Sequence, residues 1–383
     1  MTKLGDVLTI SANKSTHISD KNWLLNLDMV QQQTGEILAY NYVTANELCG
    51  SIIGFDNNVV LYSKLRPNLN KVVLPDKYGF CTSELLPLLP DSKQLNREYL
   101  AWFLRSDSFV NWAVTKTAGA KMPRLGTKEL LSKEIPLPDL PTQQRIADTL
   151  DKVSEGIEVC RKMLGELDLM VKAKFVEMFG TLPANELGWS TGTIRDCVTE
   201  VRYGSSRKAA EGDKGQYPYL RMNNITYDGE LDLTDIKSID IPDDELDKCS
   251  VRRGDVLFNR TNSRELVGKT CVYNRDELMV LAGFVVRVRA NERMLPEFLS
   301  AFMNSTFTKR LLLSMCKTAI GQANINAQEF QNIEIYIPPI TLQREFVDLK
   351  EQIDKSKLTV QRIRDKMEME KLALMQEYFG REV

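Results

Sequence analysis

The residues with the most definite chemical character sit in one run, Gly254 to Lys269, which reads GDVLFNRTNSRELVGK. Asn259, Arg260, Asn262, Ser263, Arg264 and Lys269 follow an apolar, strand-like stretch, Val256 to Phe258, as a loop would. Their types suit duplex DNA: Arg can bridge guanine O6 and N7, Asn or Gln can bridge adenine, and Ser, Thr or Lys can hold phosphates. The same vocabulary recurs in RYGSSRKA (Tyr203, Ser205, Ser206, Arg207, Lys208), in YLRMNNI (Arg221, Asn223) and in GQANIN (Gln322, Asn324). In the first half of the chain it recurs in LYSKLRPNLNK (Lys64, Arg66, Lys71) and at Arg124. Residues 251–275 carry six basic side chains against two acidic ones, and residues 61–77 four against one. These are local phosphate-facing candidates in a chain whose net charge is only -2. Which of them touches a base, which a phosphate, and which only solvent is left open.

Catalytic readings fare worse. No Asn/Asp-Pro-Pro-aromatic tetrapeptide is present to hold a target amine, and no GxxxxGK[ST] loop to cradle a nucleotide. Pro75-Asp76 with Asp91-Ser92-Lys93 formally matches a metallonuclease pattern, but its second half reads as a Pro-rich turn where a strand is wanted. His17 is the only histidine, in a polar segment, so Ser-His or Cys-His pairs reduce to that one residue. Seven cysteines are scattered without a CxxC pair, which argues against zinc and for reduced, buried thiols. No catalytic residue and no metal site are expected.

The chain repeats itself once. PDLPTQQR (138–145) returns as PPITLQR (338–344), and the segments that follow end in Phe-Gly at Gly180 and at Gly380. Upstream, NREYLAWFLRSDSF from Asn96 parallels LPEFLSAFMNSTF from Leu295, and both read as amphipathic helices. KLGDVL parallels TIRDCV, and LYSK parallels LFNR. No clear counterpart of RYGSSRKA appears near residues 10–20. Each unit is therefore a globular part followed by a long helix. In the first helix Ile146, Leu150, Val153, Ile157, Cys160, Leu164, Leu167, Val171 and Met178 recur at heptad spacing, interrupted by Lys174. In the second the seam is Phe346, Leu349, Ile353, Val360, Ile363, Met367 and Leu374, broken by Ser356 and Glu370. Two imperfect seams suggest that the helices pair with each other. Thr142 and Thr341 suit N-caps, and Gly180 and Gly380 left-handed C-caps.

Two variable globular regions, each followed by a helix that opens with Thr-x-Gln-Arg and closes in Phe-Gly, resemble the specificity subunit of Type I restriction-modification systems. The resemblance runs the length of the chain and is most specific at GDVLFNRTNSRELVGK, with RYGSSRKA, YLRMNNI and TAIGQANINAQEF in the family's order. It implies an α+β multidomain protein: two α/β target-recognition domains separated by two long antiparallel coiled-coil helices, with a pseudo-two-fold internal repeat. The expected boundaries are 1–138 and 181–337 for the domains, and 139–180 and 338–383 for the helices.

What the resemblance implies for function is a non-catalytic, cytoplasmic, DNA-binding subunit without a membrane segment. Each domain would read one half of a bipartite double-stranded DNA target, and the helices would set the gap between the halves. Two copies of a modification subunit, which uses S-adenosylmethionine to methylate adenine, would dock on the helix regions, with Met163, Met170 and Phe175 as candidate contacts. A restriction subunit using ATP and Mg would join for cleavage, so no cofactor is expected in this chain itself. The alternatives are a coiled-coil scaffold that binds only proteins, and the specificity component of another modification-based defence system.

Overall fold

The computed structural model describes residues 1–11, 20–48, 50–119, 121–182, 184–210, 214–316 and 323–380. His17, Cys49 and Gln322 lie outside the described residues. The chain forms two compact units, Met1–Lys162 with Gln361–Val383, and Met163–Val360. Two 40-residue helices, Leu140–Phe179 and Ile340–Phe379, are therefore each divided between the units.

The first unit holds two four-stranded sheets. One is antiparallel, in the order Leu8–Ile10, Leu85–Pro90, Val60–Ser63, Val72–Val73. The other runs Asn41–Val43, Asn22–Leu25, Gly79–Thr82, Ile52–Phe55, with a parallel pairing at its centre. The second unit repeats this design. Its antiparallel sheet is Val198–Tyr203, Val285–Ala290, Val256–Asn259, Thr270–Val272. Its mixed sheet is Lys237–Ile239, Tyr217–Leu220, Met279–Leu281, Ser250–Val251, again with the central pair parallel. Strand for strand the two units correspond, although much of the wording differs. The strand Leu8–Ile10 matches Val198–Tyr203, so the counterpart of RYGSS falls on residues 12–19, outside the described residues.

Two local expectations are corrected. The turn expected at Asp91-Ser92-Lys93 is present, but the Pro-rich stretch before it is not part of it: Leu85–Pro90 is an interior strand despite two prolines, and the Pro87 carbonyl still accepts from the Ser11 N–H. Each upstream amphipathic segment is two helices, Arg97–Arg105 then Asp107–Thr115, and Pro296–Asn304 then Thr306–Met315. The break is a buried serine. Ser106 Oγ accepts from Phe109 N and Ser305 Oγ from Thr308 N, so each caps the second helix.

The repeated tetrad has a packing explanation, and it centres on Gln rather than Thr. Gln143 is fully buried; its amide donates to Gln94 O and Pro138 O and accepts from Asn96 N. Gln343 does the same with Arg293 O, Pro338 O and Leu295 N. Each glutamine thus fastens the first turn of a long helix to the loop that starts a domain helix. Thr142 and Thr341 are not N-caps, because the helices begin at Leu140 and Ile340, two residues and one residue earlier. Asp139 supplies the first cap, accepting from Thr142 N at 3.0 Å.

The Phe-Gly endings are plugs. Phe179 is buried among Phe175, Phe298 and Phe346 in the second unit, and Phe379 packs on Tyr99 and Phe103 in the first. Gly180 takes the left-handed conformation at φ 74°, whereas Gly380 is not among the positive-φ residues, so only the first cap is as expected. Phe175, expected as an exposed docking contact, is an interior residue at 3% exposure.

Within each unit the helix segments run antiparallel. In the first, Met367 packs on Gly156 and Arg161 pairs with Glu368, while Ile146 and Leu150 share a core with Leu374 and Phe379. In the second, Lys357 pairs with Asp168 at 2.7 Å and Phe346 meets Phe175 edge to face. Ile146, Leu150, Ile157, Phe346, Ile353 and Val360 are buried, and Val153, Leu164, Leu167, Val171, Met367 and Leu374 half-buried, as a seam requires. Ile363 departs: it is 48% exposed. The seam instead passes through half-buried Lys350, Lys357, Arg364 and Lys371, one cation every seven residues, and Ile363 falls one position aside.

Candidate nucleic-acid interface

The loop after strand Val256–Asn259 is held by backbone on both sides. The Arg260 N–H donates to Phe284 O at 3.0 Å, and the Arg260 carbonyl accepts from Ile325 N at 2.9 Å. Thr261–Asn262 then pair with Ala323–Asn324 as a two-stranded ribbon. Thr261 Oγ1 donates to Asn324 Oδ1 at 2.8 Å, which fixes the rotation of that amide. The Arg260 guanidinium lies 4.9 Å from the centre of the Tyr203 ring and donates to Gly283 O. Tyr203 Oη in turn accepts from Ala327 N.

Gly204 explains why RYGSS can run here. A Cβ on it would stand 2.3–2.5 Å from backbone atoms of Leu281 and Ala282, so only glycine permits the close approach. The next residue, Ser205, then bonds Leu281 O through its N–H and receives Gly283 N on its carbonyl. Tyr203, Arg260, Asn262 and Asn324 are thereby gathered on one platform, bordered by Ser205.

The first unit builds the same platform from different side chains. Lys64 N–H donates to Glu84 O at 3.1 Å, the Lys64 carbonyl accepts from Leu125 N at 2.9 Å, and Leu65 bridges to Arg124. Lys64 therefore stands where Arg260 stands, Arg66 where Asn262 stands, and Arg124 where Asn324 stands. Arg66 is exposed, adopts φ 49°, and donates its N–H to Pro123 O. A non-glycine residue in that region is strained unless its surroundings hold it there, and such strain concentrates at functional positions. Arg124 clasps Glu84 through two bonds of 3.1 and 3.2 Å, which lowers the Glu84 pKa.

The remaining candidates divide. Ser206, Arg207, Lys208, Asn223 and Arg264 are exposed. Arg207 is engaged with Glu245 through bonds of 3.0 and 2.7 Å, at the edge of a groove of about 590 Å³ formed by the Tyr203–Arg207 loop and the Glu245–Cys249 segment. Arg221 is half-buried and pairs with Asp235, while Ser263 is half-buried and its N–H bonds Asn262 Oδ1. Three expected contacts point inward instead. Asn259 is fully buried with Nδ2 toward Met222 O, and Lys269 is buried, which depresses its pKa. Lys71 donates Nζ to Leu27 O and is likewise depressed by desolvation. Asn259 and Lys71 thereby tie the loop bases to the turns that follow the mixed-sheet strands Tyr217–Leu220 and Asn22–Leu25; in one dimension the three polar residues, each beside or within a strand, looked like loop tips.

Sequence reasoning missed Glu84 and Phe284. Nothing marks either as polar-reading or basic, and only the repeated hydrogen bonds to Lys64 and Arg260 bring them to the platforms. Phe284 is 51% exposed. Among the described residues, no group of His, Cys, Asp and Glu is arranged to hold a metal ion, and no helix is long and apolar enough to cross a membrane.

The profile of the Type I restriction modification DNA specificity domain matches residues 1–168 and 186–369. The EcoKI specificity subunit of Escherichia coli (strain K12) is 24% identical over 281 residues, which is 70% of this chain but only 60% of that protein's length. A chain solved in work on complex assembly and conformational transition of the type I R-M system matches with TM-score 0.62 and 18% identity, covering 99% of this chain and 96% of the other. The Type-I restriction-modification system S subunit from M. genitalium matches with TM-score 0.60 and 14% identity, covering 100% and 96%. These structural likenesses concern the fold.

Proposed function

The chain belongs to the Type I restriction modification DNA specificity domain family, and on that premise we propose that it is the sequence-reading subunit of a Type I restriction-modification enzyme. Each target-recognition domain (1–138 and 181–337) binds one half of a split, asymmetric duplex target through the major groove, and the helices (139–180 and 338–383) set the number of unread base pairs between the halves. The chain is not itself a catalyst. Two copies of a modification subunit dock beside the helices and supply S-adenosylmethionine-dependent adenine methylation, and a restriction subunit supplies ATP- and Mg-dependent cleavage, in the cytoplasm.

One observation carries this reading: the same backbone platform occurs once in each unit, with Lys64, Arg66 and Arg124 on one and Arg260, Asn262 and Asn324 on the other. Duplicated geometry with divergent polar side chains is what two readers of two different half-sites require. A protein-only scaffold has no use for it. Exposed Met163 and Met170 on the first long helix are the contacts we assign to the modification subunit.

The test is a map of N6-methyladenine in the host genome with and without this gene. The expected result is a bipartite motif that is methylated only when the gene is present. Unchanged methylation, with the purified chain binding duplexes of any sequence equally or not at all, would return the scaffold reading.

A further inference from the structure

The two platforms are matched in backbone and opposed in chemistry. Glu84 and Phe284 both receive the N–H of the platform's first basic residue on their carbonyls, and Arg124 and Asn324 both pair with the residue after it. Yet the first unit places a carboxylate and a guanidinium at these positions, and the second an exposed phenyl ring and an amide. Resting on the DNA-reading proposal above, we propose that these matched positions recognise opposite classes of base pair: Glu84 with Arg124 a G·C pair, and Phe284 with Asn324 an A·T pair.

The chemistry of the groove edges supports each assignment. In a G·C pair guanine offers two acceptors, O6 and N7, and cytosine one donor, its N4 amine. Arg124 has five N–H donors, so it can keep one bond to Glu84 while its fork meets guanine, and an ionised Glu84 accepts from the cytosine amine. The clasp already seen between the two side chains holds the fork in plane before DNA arrives. In an A·T pair adenine offers a donor beside an acceptor, which an amide matches, and thymine offers a methyl group, which an aromatic ring covers. Asn324 is exposed, and its bond from Thr261 leaves the Nδ2 donors and one lone pair of Oδ1 for adenine. Phe284, whose backbone takes the place of Glu84, is half exposed, so folding gains little from its ring.

The experiment is selection of duplex DNA from a pool of randomised sequence by the full-length chain, followed by sequencing, for the wild type and two exchanges. Phe284→Glu with Asn324→Arg should convert one position of one half-site from A·T to G·C, with a change in preference of roughly five- to hundred-fold, and leave the other half-site as it was. Glu84→Phe with Arg124→Asn should do the reverse in the other half-site. The untouched half-site in each variant reports that the chain is folded. Should a double exchange abolish binding, Asn324→Arg and Arg124→Asn alone are scored on the same readout. A wild-type bipartite sequence that all variants retain would overturn this inference while leaving the DNA-reading proposal intact. A wild-type chain that enriches no sequence would overturn both.

Discussion

Gln343 shows how much one side chain can hold. Its amide satisfies three backbone groups at once, all of them near the buried start of the second long helix. Gln343→Ala removes every partner and leaves those groups with nothing, at about 1–3 kcal/mol for a buried unsatisfied group. We expect a loss of roughly 3 kcal/mol in denaturant unfolding of the second unit; a change under about 0.5 kcal/mol, the usual range of surface substitutions, would mean that the glutamine is not a fastener. A different residue sets a pH dependence. Lys309 donates to Gly268 O, lies over the Tyr227 ring, and is pushed down to about 8, chiefly by burial and against the opposing pull of Asp228. Its folded value therefore lies below the unfolded one, so above pH 8 the unfolded chain holds more protons and stability rises with pH up to the ordinary lysine range. Below pH 8 both states are protonated and the cost of burying the charge is fully present. Urea midpoints at pH 7, 8.5 and 9.5 should climb for the wild type and climb less for Lys309→Met.

At the scale of elements, the last turn of the second long helix belongs to the core of the first unit. Phe379 packs on Tyr99 and Phe103, and its carbonyl accepts from Ser108 Oγ. Phe379→Ala should cost about 3–5 kcal/mol by cavity formation, and hydrogen exchange should quicken in Arg97–Thr115 while Pro296–Met315 keeps its protection. Equal loss in both helix pairs would contradict the division into units. This dependence was half legible. The heptad rows and the Phe-Gly endings announced two long helices, because helical period and terminal glycine are local signals. That the phenylalanines are plugs, and that Gln143 and Gln343 rather than the threonines fasten the helix starts, depends on partners 49 to 271 residues away. The seam through Lys350, Lys357, Arg364 and Lys371 was hidden for a related reason: an apolar template skips cations, and Lys357 is held there by Asp168, Glu230 and Asp354. The platforms were legible in type but not in membership. Arg260 and Asn324 could be named from composition, while Asn259, Lys269 and Lys71 looked identical to them and fold inward.

For the whole molecule, a net charge of -2 determines what kind of DNA binding is available. Nucleic-acid coats draw affinity from a diffuse positive field, but here the cations are local and several are already committed, Arg124 to Glu84 and Arg207 to Glu245. Non-specific attraction should therefore be weak, and discrimination should come from direct contact with base edges. If about four cations meet phosphates, affinity for a cognate duplex should fall roughly a hundred-fold between 50 and 200 mM salt. Arg66→Ala and Arg264→Ala, both at exposed positions without a described ion pair, should each flatten that salt slope by close to one unit if they meet phosphates. If either meets a base instead, the slope should hold while preference at one position relaxes. Fluorescence titrations over a salt series separate the two roles. A slope near zero would remove phosphate contact from the picture and, with it, the reason for basic residues to gather on both platforms.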